Sequence, residues 1–271
     1  MVKIVVLLEN TTESSKLKCK HGLSLYAETE MHKILFDMGP NDFFLRNAET
    51  LGVDIADIDI SHGHVDHCGG LKYFLEKNEK AKIYLRPQAA EKHYVKVLGI
   101  PFYAGIDRTL LSADRFVFAD DIHVIDDEIT LFSNVTGQFP LPGSDDNLFV
   151  KRKGKMIPDD FSHEQNLMIT SGDRRILICG CAHAGIVNIV RCAKTIIGDD
   201  PTAVIGGMHL YEPTKKHYER DEYIDSVAAA LAESQSSYYT CHCTGEKACE
   251  RMKVRLGARL TYLRTGAELQ I

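Results

Sequence analysis

The sequence predicts a mixed α/β (α+β) fold in which helices cover two β-sheets. Short apolar runs separated by turn residues fill the first third of the 271-residue chain, and such runs are typical of paired strands. Strand-like and helix-like segments alternate through the last third, which is typical of βα units. Because 44% of the residues are hydrophobic, the chain can bury one large core, and we expect a single domain over residues 1–271.

The first third contains five apolar runs of strand length and two helix-like segments. A helix is predicted over residues 41–51 and ends at Gly52, because glycine readily adopts the left-handed conformation that closes a helix. A second helix is predicted near residues 71–78. The predicted strands cover residues 3–8, 23–28, 33–37, 58–60 and 83–85.

The middle of the chain, residues 87–161, is less regular. It contains the turn sequence Pro140-Leu141-Pro142-Gly143 and the basic run Lys151-Arg152-Lys153-Gly154-Lys155. We expect an insert that covers the functional site, because long loops on a rigid scaffold often carry substrate contacts. The strands predicted in this segment cover residues 122–125, 129–132 and 148–150.

The last third predicts a regular alternation of strands and helices. The predicted helices cover residues 184–197, 221–234 and 246–256. The predicted strands cover residues 167–170, 176–179, 203–205, 238–241 and 260–263.

Composition excludes several classes of function. The formal net charge of −6 argues against nucleic acid as a partner, and no apolar run approaches the ~20 residues of a membrane span. The short apolar N-terminus lacks the features of a signal peptide, so we expect a cytoplasmic protein whose eight cysteines are reduced. The expected partner is a small-molecule substrate, and the sequence leaves the oligomeric state open.

Four possible metal ligands lie within six residues directly after the predicted strand 58–60. They are His62, His64, Asp66 and His67. Three imidazoles and a carboxylate this close together favour a divalent cation among them.

Three later histidines also follow apolar strands. His183 comes after the predicted strand 176–179, and His209 and His242 follow the next two predicted strands. Ligands collect beyond the carboxyl ends of strands in α/β sheets, so these side chains are expected to meet the first cluster at one edge. We expect His21, His32, His93, His123 and His217 to be surface or packing residues.

The His-x-His-x-Asp-His signature at residues 62–67, together with the later histidines, resembles the metallo-β-lactamase superfamily. Residues 21–25, 180–188, 206–210 and 241–245 resemble the branch that contains a dihydropterin-methyl ribofuranosylaminobenzene phosphate synthase and related metal-dependent hydrolases. The resemblance implies a four-layer αββα sandwich of two mixed sheets, with metals at one edge.

The resemblance also implies a ligand set for two divalent ions. His62 and His64 would hold one ion, Asp66 and His67 the other, and these ions are expected to be zinc, with manganese, iron or magnesium as alternatives. His183 and His242 match the later ligand segments. Asp37 matches a residue that orients the histidine loop. Asp66 and His209 are the candidate catalytic residues.

The sequence departs from the family pattern at the bridging carboxylate. Residues 180–183 contain Cys181 and His183 but no aspartate, so one of these two residues or a water would take its place. His163 is an alternative third histidine, although its flanking residues differ from the usual ones. For Cys241 and Cys243, packing beside His242 is favoured over ligation.

The predicted activity is hydrolysis by a metal-activated water, with a phosphate-bearing small molecule as the candidate substrate. Two weak features indicate phosphate: the basic run 151–155 and Thr244-Gly245 at the start of a predicted helix. The alternatives are a dihydropterin-type synthase that displaces diphosphate, an iron-dependent oxidoreductase and a non-enzymatic metal-binding interaction protein.

Overall fold

The structure is a computed structural model that describes residues 1–55, 57–59, 61–112 and 114–271, with the backbone alone at residues 57–59. The helices are α1 (Phe43–Leu51), α2 (Val65–Cys68), α3 (Leu71–Lys77), α4 (Ile186–Ile197), α5 (Asp221–Leu231) and α6 (Glu246–Leu256). The first ten strands are β1 (Lys3–Leu8), β2 (Ser24–Glu28), β3 (Lys33–Phe36), β4 (Asp57–Asp59), β5 (Ile83–Leu85), β6 (Lys92–Val97), β7 (Ile100–Tyr103), β8 (Phe116–Phe118), β9 (Ile122–Val124) and β10 (Ile129–Ser133). The other ten are β11 (Leu148–Arg152), β12 (Lys155–Pro158), β13 (Gln165–Ser171), β14 (Arg174–Cys179), β15 (Ala203–Gly206), β16 (Tyr211–Glu212), β17 (His217–Tyr218), β18 (Ser237–Thr240), β19 (Leu260–Tyr262) and β20 (Glu268–Gln270).

Two seven-stranded mixed sheets form the centre of the molecule. The first has the order β20-β1-β2-β3-β4-β5-β8 and is parallel from β3 to β8. The second has the order β19-β18-β15-β14-β13-β10-β9 and is parallel from β19 to β14. Parallel neighbours bring their carboxyl ends to the same edge of a sheet, and the predicted ligand segments all follow such ends.

Side-chain alternation along the strands creates four layers. In β14, Ile176 and Ile178 pack between the two sheets, whereas Leu177 and Cys179 pack against α4, α5 and α6. On the other side, the outward side chains of the first sheet pack against α1 and α3. The predicted two-sheet fold with helices on both outer faces is therefore confirmed.

Most predicted elements lie within a few residues of the observed ones. The helix predicted over residues 41–51 is α1, and Gly52 closes it with a φ of 68° and an N–H directed at the last-turn carbonyls. The strand predicted at residues 58–60 is observed as β4, and the predicted end at Ile60 lies outside the described residues.

The middle segment contains a small sheet of its own. Strands β6, β7, β11 and β12 form a four-stranded sheet with the order β12-β11-β6-β7. In contrast, β8 joins the first main sheet, and β9 and β10 join the second. Only β11 of the small sheet was predicted, because lysines interrupt the apolar pattern of β6 and β12 and every residue of β7 is exposed.

The helices of the described residues are too short or too polar to cross a membrane.

Candidate metal centre

The four predicted histidine segments meet at one edge of the two sheets. His62, His64, Asp66 and His67 lie in the loop after β4 and in α2, and the other segments follow β14, β15 and β18. Because β14, β15 and β18 are parallel neighbours, their carboxyl ends lie side by side. The structure therefore brings the predicted site residues together.

One group of ligand atoms has tetrahedral spacing. His67 Nε2 lies 3.1 Å from Cys181 Sγ, 3.2 Å from His242 Nε2 and 3.7 Å from Asp66 Oδ2. His242 Nε2 lies 3.4 Å from the same Asp66 oxygen. Zinc bonds of ~2.0–2.3 Å hold tetrahedral ligands ~3.3–3.7 Å apart. The four separations, 3.1 to 3.7 Å, are close to those that one divalent ion requires.

A second group surrounds His62. The ring centroids of His62, His64 and His183 are 4.8 to 5.1 Å apart, and the Nε2 atom of each ring is buried without a hydrogen-bond partner. Burial and the repulsion of neighbouring imidazoles lower the pKa of His62 well below its usual value, so this ring is neutral. Neutral imidazoles offer a lone pair to a cation.

Cys181 belongs to both groups. Its Sγ lies within 4.8 Å of the ligand atoms of His62 and His183, and also of those of His67 and His242. The sequence left open whether Cys181, His183 or a water takes the bridging position. In the structure, the Cys181 sulfur lies between the two groups, and His183 lies on the side of His62.

Buried polar groups fix the orientation of the first cluster. Asp37 is fully buried after β3; its Oδ2 lies 2.6 Å from His67 Nδ1, and its Oδ1 accepts the Ser61 N–H at 2.8 Å. The Ser61 hydroxyl contacts both Asp37 Oδ2 and His62 Nδ1. A proton held on Nδ1 of His67 leaves its Nε2 lone pair directed at the centre. Asp37 thus occupies the orienting position that the resemblance implied.

Asp145 is a functional candidate that the sequence analysis missed. Its Oδ1 lies 2.7 Å from His183 Nδ1 and 3.0 Å from His209 Nε2. Burial would raise the pKa of Asp145, but the two imidazoles outweigh burial and hold that pKa well below its usual range. The ionised carboxylate orients both rings. Asp145 lies in the turn-rich sequence before β11, where no local pattern distinguishes it from a surface aspartate.

Glu164 anchors the backbone of the His183 loop. Its buried carboxylate accepts the N–H groups of His183 at 2.7 Å and Ala184 at 2.9 Å. Burial raises the pKa of Glu164 to about 7.

Three residues of the ligand segments have positive φ values. Ala182, directly before His183, has a φ of 62°, and His209 and His242 have values of 46° and 52°. Such conformations are costly for residues other than glycine and are found mainly at functional sites.

Two residues that directly follow β1 contact His242, which lies in the last of the four predicted ligand segments. Asn10 Oδ1 lies 3.1 Å from His242 Nδ1, and Asn10 Nδ2 donates to the His242 carbonyl at 2.9 Å. Glu9, fully buried, accepts the His242 N–H at 3.3 Å. The local pattern that marks this role is a pair of polar residues, Glu9 and Asn10, directly after the apolar strand β1.

Two further histidines lie close to the centre. His21 Nε2 is 3.3 Å from Asp66 Oδ2, and its ring centroid is 4.6 Å from that of His242. His93 is fully buried beside His163, with ring centroids 4.0 Å apart, which agrees with the expected packing role. The contact of His21 with Asp66 was not predicted, because His21 follows no strand of the two main sheets and tertiary contacts bring it in.

A pocket of about 250 Å³ opens onto the candidate metal ligands. Its floor contains His64, Asp66 and His242, and Val95 and Leu148 of the small sheet cover it. His209 and Cys243 also line the pocket, and the Cys243 sulfur accepts the His209 N–H at 3.3 Å. No lysine or arginine is among its lining residues.

The two predicted phosphate contacts lie away from this pocket. In the basic run, Arg152 is paired with Glu91 and Asp160, and Lys151 and Lys155 are exposed elsewhere. At the start of α6, the Tyr218 ring covers Gly245 so closely that an added Cβ would lie 2.7 Å from it. A helix start covered in this way is not open to a phosphate.

Positive side chains instead line a neighbouring cleft of about 580 Å³. Lys72, Lys92 and Arg108 lie there with Tyr73, Tyr94 and Tyr103. Alternation along β6 separates the two spaces, since Lys92 and Tyr94 face the cleft whereas Val95 faces the pocket. The cleft and the pocket share Val65 of α2 in their linings.

Comparisons with known proteins show the family and the fold of this chain. The family model described as the metallo-beta-lactamase superfamily matches residues 18–191. An uncharacterized protein of Methanocaldococcus jannaschii is 29% identical over 258 residues, which cover 93% of each chain. The 7,8-dihydropterin-6-methyl-4-(beta-D-ribofuranosyl)-aminobenzene-5'-phosphate synthase of the same organism is 26% identical, covering 91% of this chain and 89% of the synthase. The crystal structure of a metal-dependent hydrolase of the beta-lactamase superfamily is 29% identical, with a TM-score of 0.87 over 100% of this chain and 99% of that one.

Proposed function

This chain belongs to the metallo-beta-lactamase superfamily, and from that premise we propose that it is a metal-dependent hydrolase of a phosphate-bearing small molecule. The observation that carries the proposal is the convergence of Asp66, His67, His242 and Cys181 on one tetrahedral arrangement beside an open pocket. Such a donor set fits zinc, and manganese or iron would also accept these ligands. The shared position of Cys181 supports two ions.

The chemistry follows from the donor set. Asp66, His67, Cys181 and His242 would hold the ion, which when bound would lower the pKa of a water from ~15.7 to near ~7. Asp66 would accept the proton, because its carboxylate lines the pocket with 24% of the side chain exposed, whereas His67 and His242 are fully buried. His209 lines the same pocket and is held by Asp145, so its imidazole donates a proton to the leaving oxygen.

The neighbouring cleft supports an anionic substrate. Lys72, Lys92 and Arg108 form no ion pair with a carboxylate in the part of the chain that the structure describes. Cations without a carboxylate partner attract anions to a concave surface, and these three outnumber Asp107, a carboxylate that also lines the cleft. We place the reacting bond in the 250 Å³ pocket and the distal anionic group of the substrate in the cleft.

The test is turnover of a panel of 4-nitrophenyl phosphodiesters, phosphomonoesters and phosphate-bearing lactones by protein loaded with Zn²⁺ or Mn²⁺. Asp66→Asn removes a ligand and the proton acceptor, so we expect kcat/KM to fall by ~100-fold or more. Asp126→Asn is the matched control, because Asp126 forms a similar contact with His32, 2.6 Å long, at the surface. Equal turnover by Asp66→Asn and wild type would contradict the proposal.

A second candidate is a transferase that displaces diphosphate, favoured by the 26% identity with the dihydropterin synthase over nearly the whole chain. The same centre would neutralise the leaving diphosphate. Product analysis with a dihydropterin-methyl diphosphate and a ribofuranosylaminobenzene phosphate separates the two candidates. Formation of the coupled product favours the transferase, and release of the pterin alcohol alone favours the hydrolase.

A further inference from the structure

The small sheet presents an apolar face to the 250 Å³ pocket. Val95 of β6 and Leu148 of β11 lie opposite each other in the strand register, and both line the pocket. Ala104, directly after β7, lines it as well. Side chains opposite each other on paired strands share one face of a sheet, as do residues two positions apart along a strand. The register therefore shows which other side chains extend the pocket wall.

The same face continues beyond the pocket along the hairpin of β6 and β7. Phe102 lies opposite Val95, so it shares the face that lines the pocket. Val97 and Ile100 lie opposite each other and form the next pair toward the turn. Val95, Val97, Ile100 and Phe102 thus form one apolar surface, the hairpin face. Phe102 is 52% exposed and Ile100 is 60% exposed, so the wall of the pocket leads into an open apolar surface.

The hairpin is held in a fixed position beside the metal centre. Its two-residue turn has φ values of 51° at Leu98 and 81° at Gly99, which are the left-handed values of a tight hairpin turn. At its base, the Ala104 N–H donates to the His93 carbonyl at 2.9 Å, and the Ala104 carbonyl accepts the Val65 N–H at 2.7 Å. Val65 begins α2, which carries two of the candidate metal ligands. A surface that is already fixed loses little entropy when a ligand binds to it.

The chemistry of the hairpin face selects among its possible occupants. β7 is an edge strand of the small sheet, but Pro101 within it has no N–H to donate, which disfavours the addition of a strand from another chain. The exposed side chains, including Leu98 at the turn with 98% exposure, carry no charge or hydrogen-bonding group. Exposed apolar patches mark binding sites, and continuity with Val95 in the pocket favours a ligand that reaches out of the pocket.

We propose that the hairpin face binds a hydrocarbon group of the substrate, next to the reacting bond. The assignment rests on the proposed function, which places the reacting bond in the pocket onto which this face opens. The opposite face of the same hairpin carries Tyr94 and Tyr103, which line the basic cleft. A substrate that fits both spaces is amphipathic, with its hydrocarbon group on one face of the hairpin and its anionic group toward the other.

The test measures the binding of n-alkylphosphonates, from ethyl to hexyl, to the full-length protein loaded with Zn²⁺ by isothermal titration calorimetry. These probes have a C–P bond in place of an ester bond, so the measurement needs no turnover. An added methylene group strengthens binding by about fourfold when it is fully buried, and by about twofold when one side stays open to water. We therefore expect Kd to fall by ~16-fold from ethyl to hexyl. A Kd for hexylphosphonate within twofold of that for ethylphosphonate would overturn the hydrocarbon site.

Two double variants locate the alkyl chain on the protein. The double variant Ile100→Ser, Phe102→Ser should reduce the gain from ethyl to hexyl to ~3-fold or less. The matched control is Ile122→Ser, Val124→Ser, because these residues are also exposed, 56% and 64%, on the edge strand β9 of the second main sheet. The control should keep the full gain. A full gain in the hairpin variant would place the chain elsewhere and overturn the assignment.

Further outcomes separate the hydrocarbon site from the hydrolase and from other occupants. A graded phosphonate series without turnover of any ester in the panel would refute the proposed hydrolase and keep the hairpin face as a hydrocarbon site. Sedimentation of the wild type and the hairpin variant, alone and with phosphatidylcholine vesicles, tests the other occupants. Loss of a dimer or of vesicle binding in the variant, with an unchanged phosphonate series, would overturn the assignment in favour of a second copy or a lipid surface.

Discussion

Replacing Asp37 by asparagine should weaken metal binding through the tautomer of His67. Asp37 Oδ1 accepts the Ser61 N–H, and Oδ2 contacts His67 Nδ1 at 2.6 Å. Asparagine has nearly the same shape but only one acceptor oxygen. If that oxygen stays on the Ser61 N–H, the new NH₂ group faces His67 Nδ1, which can then only accept.

An imidazole that accepts at Nδ1 carries its proton on Nε2. Nε2 is the atom that lies 3.1 Å from Cys181 Sγ and 3.2 Å from His242 Nε2, so the proton would occupy the place of the ion. Turning the amide over does not help, because its NH₂ would then meet the Ser61 N–H in a buried site. Either orientation costs one buried hydrogen bond, on the order of 1–3 kcal/mol.

The expected loss in metal affinity is ~10- to 100-fold, or about 1.4–2.7 kcal/mol. It is measured by competition between the protein and a chromophoric chelator for Zn²⁺, with circular dichroism to confirm the fold. Asp126→Asn, which alters the surface contact of His32, should leave the affinity unchanged. An Asp37→Asn protein that folds and binds Zn²⁺ within twofold of the wild type would refute the tautomer argument.

Three further outcomes are expected. Cys181→Ser should weaken both ion positions at once, because its sulfur lies between them; loss of a single zinc equivalent by mass spectrometry would contradict the shared role. Lys72→Gln should raise KM for an anionic substrate up to ~5-fold with kcat unchanged, since an exposed charge contributes up to ~1 kcal/mol, whereas Lys80→Gln, outside the cleft, should not. Ile178→Ala, fully buried between the sheets, should lower the free energy of unfolding by ~2–5 kcal/mol in urea titrations, and a loss below ~1 kcal/mol would argue against tight packing there.

Most of the fold could be predicted from the sequence, because its strands and helices carry strong local patterns. The apolar runs of β1, β14 and β15 are nearly continuous, and Gly52 marks the end of α1 through its left-handed φ. The small sheet was mostly missed. β6 contains lysines and a buried histidine. The burial of its side chains depends on what packs against the strand in the folded chain, so its own periodicity does not reveal it.

The sequence by itself determined that four histidine-bearing segments gather at one edge of the sheets. Residues after parallel strands reach the same sheet edge whatever the details of packing, so His62, His183, His209 and His242 could be placed together from their positions alone. Local spacing within residues 62–67 was enough to indicate a cation.

Only the tertiary structure decided how the ligand atoms are shared and oriented. The position of Cys181 between two groups, the contact of Asp145 with His183 and the contact of His21 with Asp66 all depend on contacts between distant segments. Sequence spacing predicts in which strand or turn a residue lies. Coordination is decided at the scale of an ångström, by strand register, side-chain rotamers and the tautomer that each neighbouring carboxylate imposes.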